Sequence, residues 1–251
     1  MRIALTYNLR LSDSEDEAEF DTQETVNTLA AAIERLGHRL ERFEVSGPAS
    51  RTVARLEAYS PDLIFNIAEG RRGRFREAFY PALFEELGFA YTGSDAYGLA
   101  VTLDKQLTKL VLSKHGIRTP GWQFVEKLNE LKAEDLRFPV IIKPNFEGSS
   151  KGITQDSVAE TVEQAREKVA QALARQFDLP FVRLPEVIPP KVRELVSLDF
   201  QAEHRFVLFG LEREARGERL LVAVDDPSDL TVVGELSFQL NKPIRVHVAA
   251  E

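Results

Sequence analysis

The sequence predicts an α/β protein with a doubly wound amino-terminal unit, a partial second subdomain around a glycine-rich turn, and a small separate α/β module at the carboxyl end. Two observations predict it. Short apolar strands alternate with amphipathic helices through residues 1–94, the pattern of a parallel sheet. The texture then breaks near Arg175, where a long helical stretch gives way to "DLPFVRLPEVIPPKV", with four prolines.

The elements follow in order. "RIALTY" is a short buried strand. "DTQETVNTLAAAIERLG" sets Val26, Leu29, Ile33 and Leu36 at helical spacing, with Asp21 as the cap, Glu24 three residues on, and Gly37 as the stop. "HRLERFEV" is a second strand and, after a short helix, "PDLIFNIAE" a third. From Asp95 the chain is helical through "LDKQLTKLVLSKHG", extended at "GWQFVEK", and a strand at "FPVIIKP". The turn "NFEGSSKG" and a helix from about Ser157 to Arg175 come next, with Val158, Val162, Ala165, Val169 and Leu173 along one side. The last part has strands "HRFVLFGLE" and "ERLLVAVDD", a helix starting in "PSDLTVVGELSFQL", and a final strand "KPIRVHVAA". These divide the chain into 1–94, 95–175 and 176–251.

Composition narrows the function. A chain of 251 residues with 32 Lys and Arg against 40 Asp and Glu carries a formal charge of −8, which argues against a general nucleic-acid or anionic-membrane surface. Without cysteine there is no disulfide, thiolate metal site or cysteine nucleophile, which suits a reducing cytosol. No apolar run approaches the roughly 18 residues of a membrane span, and the amino terminus turns acidic too soon for a signal sequence. A soluble cytoplasmic protein is the expectation.

The chemistry gathers in "FPVIIKPNFEGSSKG", Phe138 to Gly152. In an α/β sheet, ligands collect at the carboxyl ends of strands, and a Gly- and Ser-rich turn there directs backbone N–H groups at an anion such as phosphate. The turn is not a Walker A loop, which needs GxxxxGK[ST] opening a helix. Lys143 follows Ile142 inside the apolar run, so its ammonium is expected to be partly desolvated and to need an anionic partner; the plain alternative is a strand-end lysine in solvent. Asp225, Asp226 and Asp229 invite a metal reading, but Asp-Pro-Ser-Asp after a strand reads more simply as a turn and a helix cap.

A second lysine, Lys105, lies in "YTGSDAYGLAVTLDKQLTK". Together, YTGS, DK..TK, G-I-x-T-P and P-V-I-I-K-P...GSS.G resemble the ATP-grasp ligases, in the D-alanine–D-alanine ligase group, over about the first 175 residues. The resemblance makes 1–94 the domain that precedes the ATP-grasp and 95–175 a partial ATP-grasp subdomain. It implies that Lys105 and Lys143 hold the α- and β-phosphates of ATP, and that Gly148, Ser149 and Ser150 form a flap closing over them. It also implies an acidic residue for the first substrate's amino group, near Glu77 or, in competition, Glu69. Against that, Arg71, Arg72, Arg74 and Arg76 offer surface partners of little energetic weight for both carboxylates. The family makes an acyl phosphate from ATP and a carboxylate, which an amine then displaces, and its cofactors are ATP and Mg²⁺. The family's adenine hinge and magnesium carboxylates are not found in this sequence, so turnover is in doubt.

From about Ala170 onward, "ALARQFDLPFVRL" and "LLVAVDDPSDL....ELSFQL..PIRVHVA" resemble the amino-terminal domain of type II secretion and type IV pilus assembly ATPases. The whole thus reads as a ligase cut short and continued by an interaction module, through gene fusion or recombination. Expected partners are ATP and a small carboxylate or amino acid, with a protein partner for the last module. A rival reading makes the front a non-catalytic nucleotide binder or scaffold. A third, a ligase completed by a second chain, expects a homodimer at the ATP site.

Overall fold

The computed structural model describes residues 1–214 and 217–250. The fold is mixed α/β and divides into two compact units, residues 1–119 with 144–152, and residues 120–143 with 153–251.

In the first unit, strand β1 (Arg2–Tyr7) leads to helix α1 (Gln23–Arg35), β2 (Arg39–Glu44), α2 (Ala49–Tyr59) and β3 (Leu63–Asn66). The sheet order is β2-β1-β3, and both pairings are parallel, as alternation with helices requires. Leu5, Phe43, Leu56 and Ile64 are fully buried around it. Helices α3 (Arg76–Glu86), α4 (Ala96–Leu103) and α5 (Lys105–Lys114) complete the unit, with Phe84 of α3 fully buried against Tyr80 and Tyr91. Thr22, not Asp21, caps α1, accepting from Thr25 N at 3.2 Å. The backbone of Asp21 is committed elsewhere: its N–H donates to Asn8 O (3.0 Å) and its carbonyl accepts from Arg10 N (2.8 Å). Gly37 does follow α1, at φ +80°, where only glycine is unstrained.

In the second unit, β4 (Val140–Ile141) pairs antiparallel with β5 (Val158–Ala159), and α6 (Val162–Gln176) buries Ala165, Val169, Ala170 and Leu173. The helix begins at Val162 instead of near Ser157, because Thr161 caps it and Val158 is spent on the strand. "GWQFVEK" forms no strand. After the short helices α7 (Pro190–Arg193) and α8 (Leu198–Glu203), β6 (Phe206–Glu214) runs antiparallel to β7 (Gly217–Val224). Helix α9 (Thr231–Leu240) then crosses to β8 (Ile244–Val248), parallel to β7. Leu208, Leu220, Val222 and Leu236 form the core beneath that sheet. Among the described residues no helix is long and apolar enough to cross a membrane.

Candidate functional site

Parallel strands end on one edge of a sheet, and the loops leaving that edge carry the first unit's unusual chemistry. Asn8 directly follows β1, and its Oδ1 accepts from Glu69 N (2.8 Å) in the loop after β3. The acidic loop after β1 returns through Asp21 and brings in Glu19. Arg76 and Glu77 occupy the first turn of α3. Glu19, Glu69 and Glu77 each offer a carboxylate oxygen, all within 4.8 Å of one another.

Arg76 makes this density of charge tenable. It is 7% exposed, and its Nε and Nη2 donate to the two oxygens of Glu19 at 2.8 and 2.6 Å. Its Nη2 also reaches Glu147 (3.1 Å) and its Nη1 the carbonyl of Phe146 (2.7 Å). This is a two-pronged buried pair, not the weak surface contact the arginine-rich loop suggests. The three carboxyls consequently titrate apart. Burial raises Glu19, but the Arg76 guanidinium outweighs it and holds the group below its ordinary range. Burial, then the charges of Glu19 and Glu77, push Glu69 up to about 7, and its Oε2 is buried with no hydrogen-bond partner. Burial also raises Glu77.

Glu69 makes stability depend on pH. Its folded pKa lies above the ordinary 4.5, so the wild type loses stability as pH rises from about 4.5 to about 7. Glu69→Gln is expected to be more stable than wild type by roughly 2–3 kcal/mol above pH 7, with the gap closing below pH 4.5. Urea melts across that range check it, and a pH-independent difference would contradict it.

The glycine-rich turn lies against this cluster. Gly148 N donates to Glu19 Oε1 (3.0 Å), and Gly152 N to Glu15 Oε1 (2.7 Å). A Cβ on Gly148 would sit 2.7 Å from Glu19 Oε1 and 3.0 Å from Glu77 Oε1, and Glu19 is pinned by Arg76, so only glycine fits there. Ser149 and Ser150 are exposed at φ 44° and 61°, a left-handed pair unusual for serine. Lys105, half-buried at the start of α5, donates through Nζ to the carbonyls of Asn145 (3.3 Å) and Glu147, at the base of the turn. Asn145 braces that helix start, accepting from Gln106 N and donating to Asp104 Oδ1.

Of the residues singled out in the sequence, the first unit holds Lys105, Gly148, Ser149, Ser150, Glu69 and Glu77. Lys143 belongs to the second unit. It lies two residues past β4 and is exposed, because the strand is only Val140–Ile141; the expected desolvation is absent. Glu19 went unrecognised in the sequence, where it is one of six acids in "DSEDEAEFD". Asp226 and Asp229 both close local turns, accepting from Ser228 N and Thr231 N at 3.0 Å each; the expected cap is not formed, since the N-cap of α9 is Leu230, without a side-chain bond.

The turn's chemistry fits a polyphosphate: its amides already bond carboxylate oxygens, which present the same kind of acceptor. Magnesium fits the acidic trio poorly. Both oxygens of Glu19 are taken by Arg76 and Gly148, and Glu69 is half protonated near neutral pH, whereas Mg²⁺ needs ionised, free oxygens. Among the described residues no other group of three acidic or histidine side chains could share an ion.

Comparison with known proteins separates the two ends of the chain. The D-alanine–D-alanine ligase of Moorella thermoacetica is 32% identical over 179 residues, 68% of this chain and 55% of the ligase. That of Aquifex aeolicus is 32% identical over 152 residues, 60% and 50%. The solved D-alanine–D-alanine ligase of Bacillus anthracis shares the fold, with a TM-score of 0.53 and 23% identity, covering 71% of this chain and 54% of that one. Residues 177–251 match the MshEN domain family. The chain spans about half the length of the curated relatives it matches. It therefore resembles ATP-grasp ligases over one part and carries an MshEN-like module over another.

Proposed function

We propose that this chain binds ATP through Lys105, Lys143 and the amides of Gly148, Ser149 and Ser150, and takes up a substrate ammonium at Glu69 and Glu77, in the manner of a carboxylate–amine ligase of the D-alanine–D-alanine ligase type. The observation that carries this reading is the turn itself: anion-binding amides lie against a carboxylate trio, so a phosphate and an ammonium would be held side by side. Glu69 and Glu77, less charged than Glu19, regain full charge when an ammonium arrives, since an opposite charge favours the ionised form.

In the reaction of this type, a substrate carboxylate oxygen attacks the γ-phosphorus of ATP, ADP leaves, and the acyl phosphate is then opened by an amine with loss of phosphate. Catalysis is positioning and charge neutralisation. The lysines and turn amides would hold the phosphates, and the trio would orient the amino group. Magnesium would supply further neutralisation when bound, though the acidic trio is poorly suited to hold it. The reading keeps 1–94 and 95–175 as the ligase-like portions and 176–251 as an appended module, in a cytoplasmic protein.

Phosphate release from Mg-ATP, measured with a panel of amino acids and small carboxylates, tests it. Release stimulated by one of them is expected. Nucleotide binding without stimulated release would instead favour a second reading, supported by the MshEN match: a nucleotide-binding scaffold whose last module docks a secretion or pilus-assembly protein.

A further inference from the structure

The carboxyl-terminal sheet holds a cavity unconnected with the ATP reading. It measures about 220 Å³ and opens where β7 and β8 end and β6 begins. Leu184, Ala202, Phe206, Val207, Ala223 and Ala249 make most of its wall. Its polar components are Gln201, Arg205 and Asp225. Gln201 is satisfied, donating to Val196 O (3.0 Å) and accepting from Leu208 N (2.9 Å). Arg205 stands at φ 53°, which turns the chain from α8 into β6, and its Nη2 pairs with Asp225 Oδ2.

Asp225 is 9% exposed, and its other oxygen, Oδ1, is buried with no hydrogen-bond partner. A buried acceptor left unmatched costs about 1–3 kcal/mol, so natural structures rarely keep one without a use. The carboxylate charge is already matched by Arg205; the second oxygen lacks only a donor. Asp225 is itself part of the cavity wall. The size is informative as well: an apolar cavity of about 150 Å³ admits benzene, so this one accommodates a fused bicyclic ring.

We propose that this cavity is a binding site for a flat, largely apolar ring bearing one N–H donor, with the ring between the aliphatic walls and the N–H on Asp225 Oδ1. A charged donor is disfavoured because Arg205 already balances the carboxylate. The ring could come from a free small molecule or from a tryptophan side chain on a partner; the chemistry is shared.

Indole and indene, alike in shape and differing in the N–H, separate this site from a merely greasy hollow. Added to the ¹⁵N-labelled full chain, indole is expected to shift the amides of Val207, Ala223, Val224 and Ala249 saturably. Indene should bind about tenfold or more weakly, the loss of one hydrogen bond to a charged acceptor. Asp225→Asn should bring indole down to the affinity of indene while leaving indene unchanged. Ala202→Leu, on the exposed side of α8, fills the entrance without stressing the core and should weaken both probes. N-acetyltryptophanamide identifies the source: the same shifts point to a partner's side chain, and binding by indole alone points to a free ring. No saturable shift with indole, or equal affinity for indole and indene, overturns the proposal.

Discussion

Replacing Arg76 by methionine is expected to cost about 3–5 kcal/mol of stability, the typical loss when one member of a buried ion pair is removed. Methionine keeps much of the volume and loses every bond. Glu19, whose side chain is 5% exposed, would be left as an uncompensated buried charge, with Glu69 and Glu77 beside it. The carbonyl of Phe146 would lose its 2.7 Å donor, and Glu147 would keep only Lys151, 3.6 Å away. The pH dependence identifies the cause. In the wild type, Glu19 is held below its ordinary range, so its stabilising contribution is present above pH 4.5 and lost as the pH falls. In the variant its carboxyl is raised, and protonation in acid relieves the strain. The deficit should therefore be largest at neutral pH and shrink toward pH 4. Arg245→Met, which removes a pair whose side chains are 51% and 41% exposed, provides the comparison and should change stability by less than about 1 kcal/mol. Urea midpoints for both variants at pH 7 and pH 4.5 measure the difference; equal losses would contradict the account of Arg76.

The alternation of strand and helix in the first unit was legible because each element there pairs with its sequence neighbours' products. Leu5, Val26, Phe43 and Ile64 all point to the core with the periodicity their segments show. The carboxyl module was legible for the same reason, its two long strands and its crossover helix each announced by an apolar run. What the sequence hid depended on contacts distant along the chain. Thr22 and Asp21 are equally good caps in isolation, and the choice falls to Thr22 because Asp21 is engaged by Asn8 and Arg10. "FPVIIKP" looks like a full strand, yet only Val140 and Ile141 join the ladder with β5, and pairing ends with the bond from Ile142 N to Ser157 O (2.9 Å). Lys143 is consequently exposed and not embedded.

The candidate site divides along the same line. Gly148, Ser149 and Lys105 were visible as residue types suited to an anion. Glu19 was invisible, because nothing local separates it from the acids around it. Its role is set by Arg76, 57 residues away, and by Gly148, 129 residues away. Arg76 itself had been read with its neighbours as a surface charge; burial distinguishes it from Arg71, Arg72 and Arg74, which are exposed.

The central claim is that Lys105, Lys143 and the glycine-rich turn hold nucleotide phosphates, and thermal unfolding with and without ADP tests it most directly. A ligand that binds only the folded state stabilises it by about 2.7 kcal/mol at a hundred times its dissociation constant. Each lysine contact with phosphate is expected to contribute about 1.5–3 kcal/mol, so Lys105→Ala and Lys143→Ala should each weaken binding about 10- to 100-fold. Each variant is read against its own unliganded melt. Lys143 is exposed, and its removal should leave that baseline unchanged. Lys105 donates to the carbonyls of Asn145 and Glu147, and its loss should lower the baseline by about 1 kcal/mol. The account predicts a clear rise in melting temperature for the wild type with ADP and, at the same concentration, a rise cut to about half or less for either variant. A wild type that does not respond to ADP, or variants that respond as fully as it does, would contradict it.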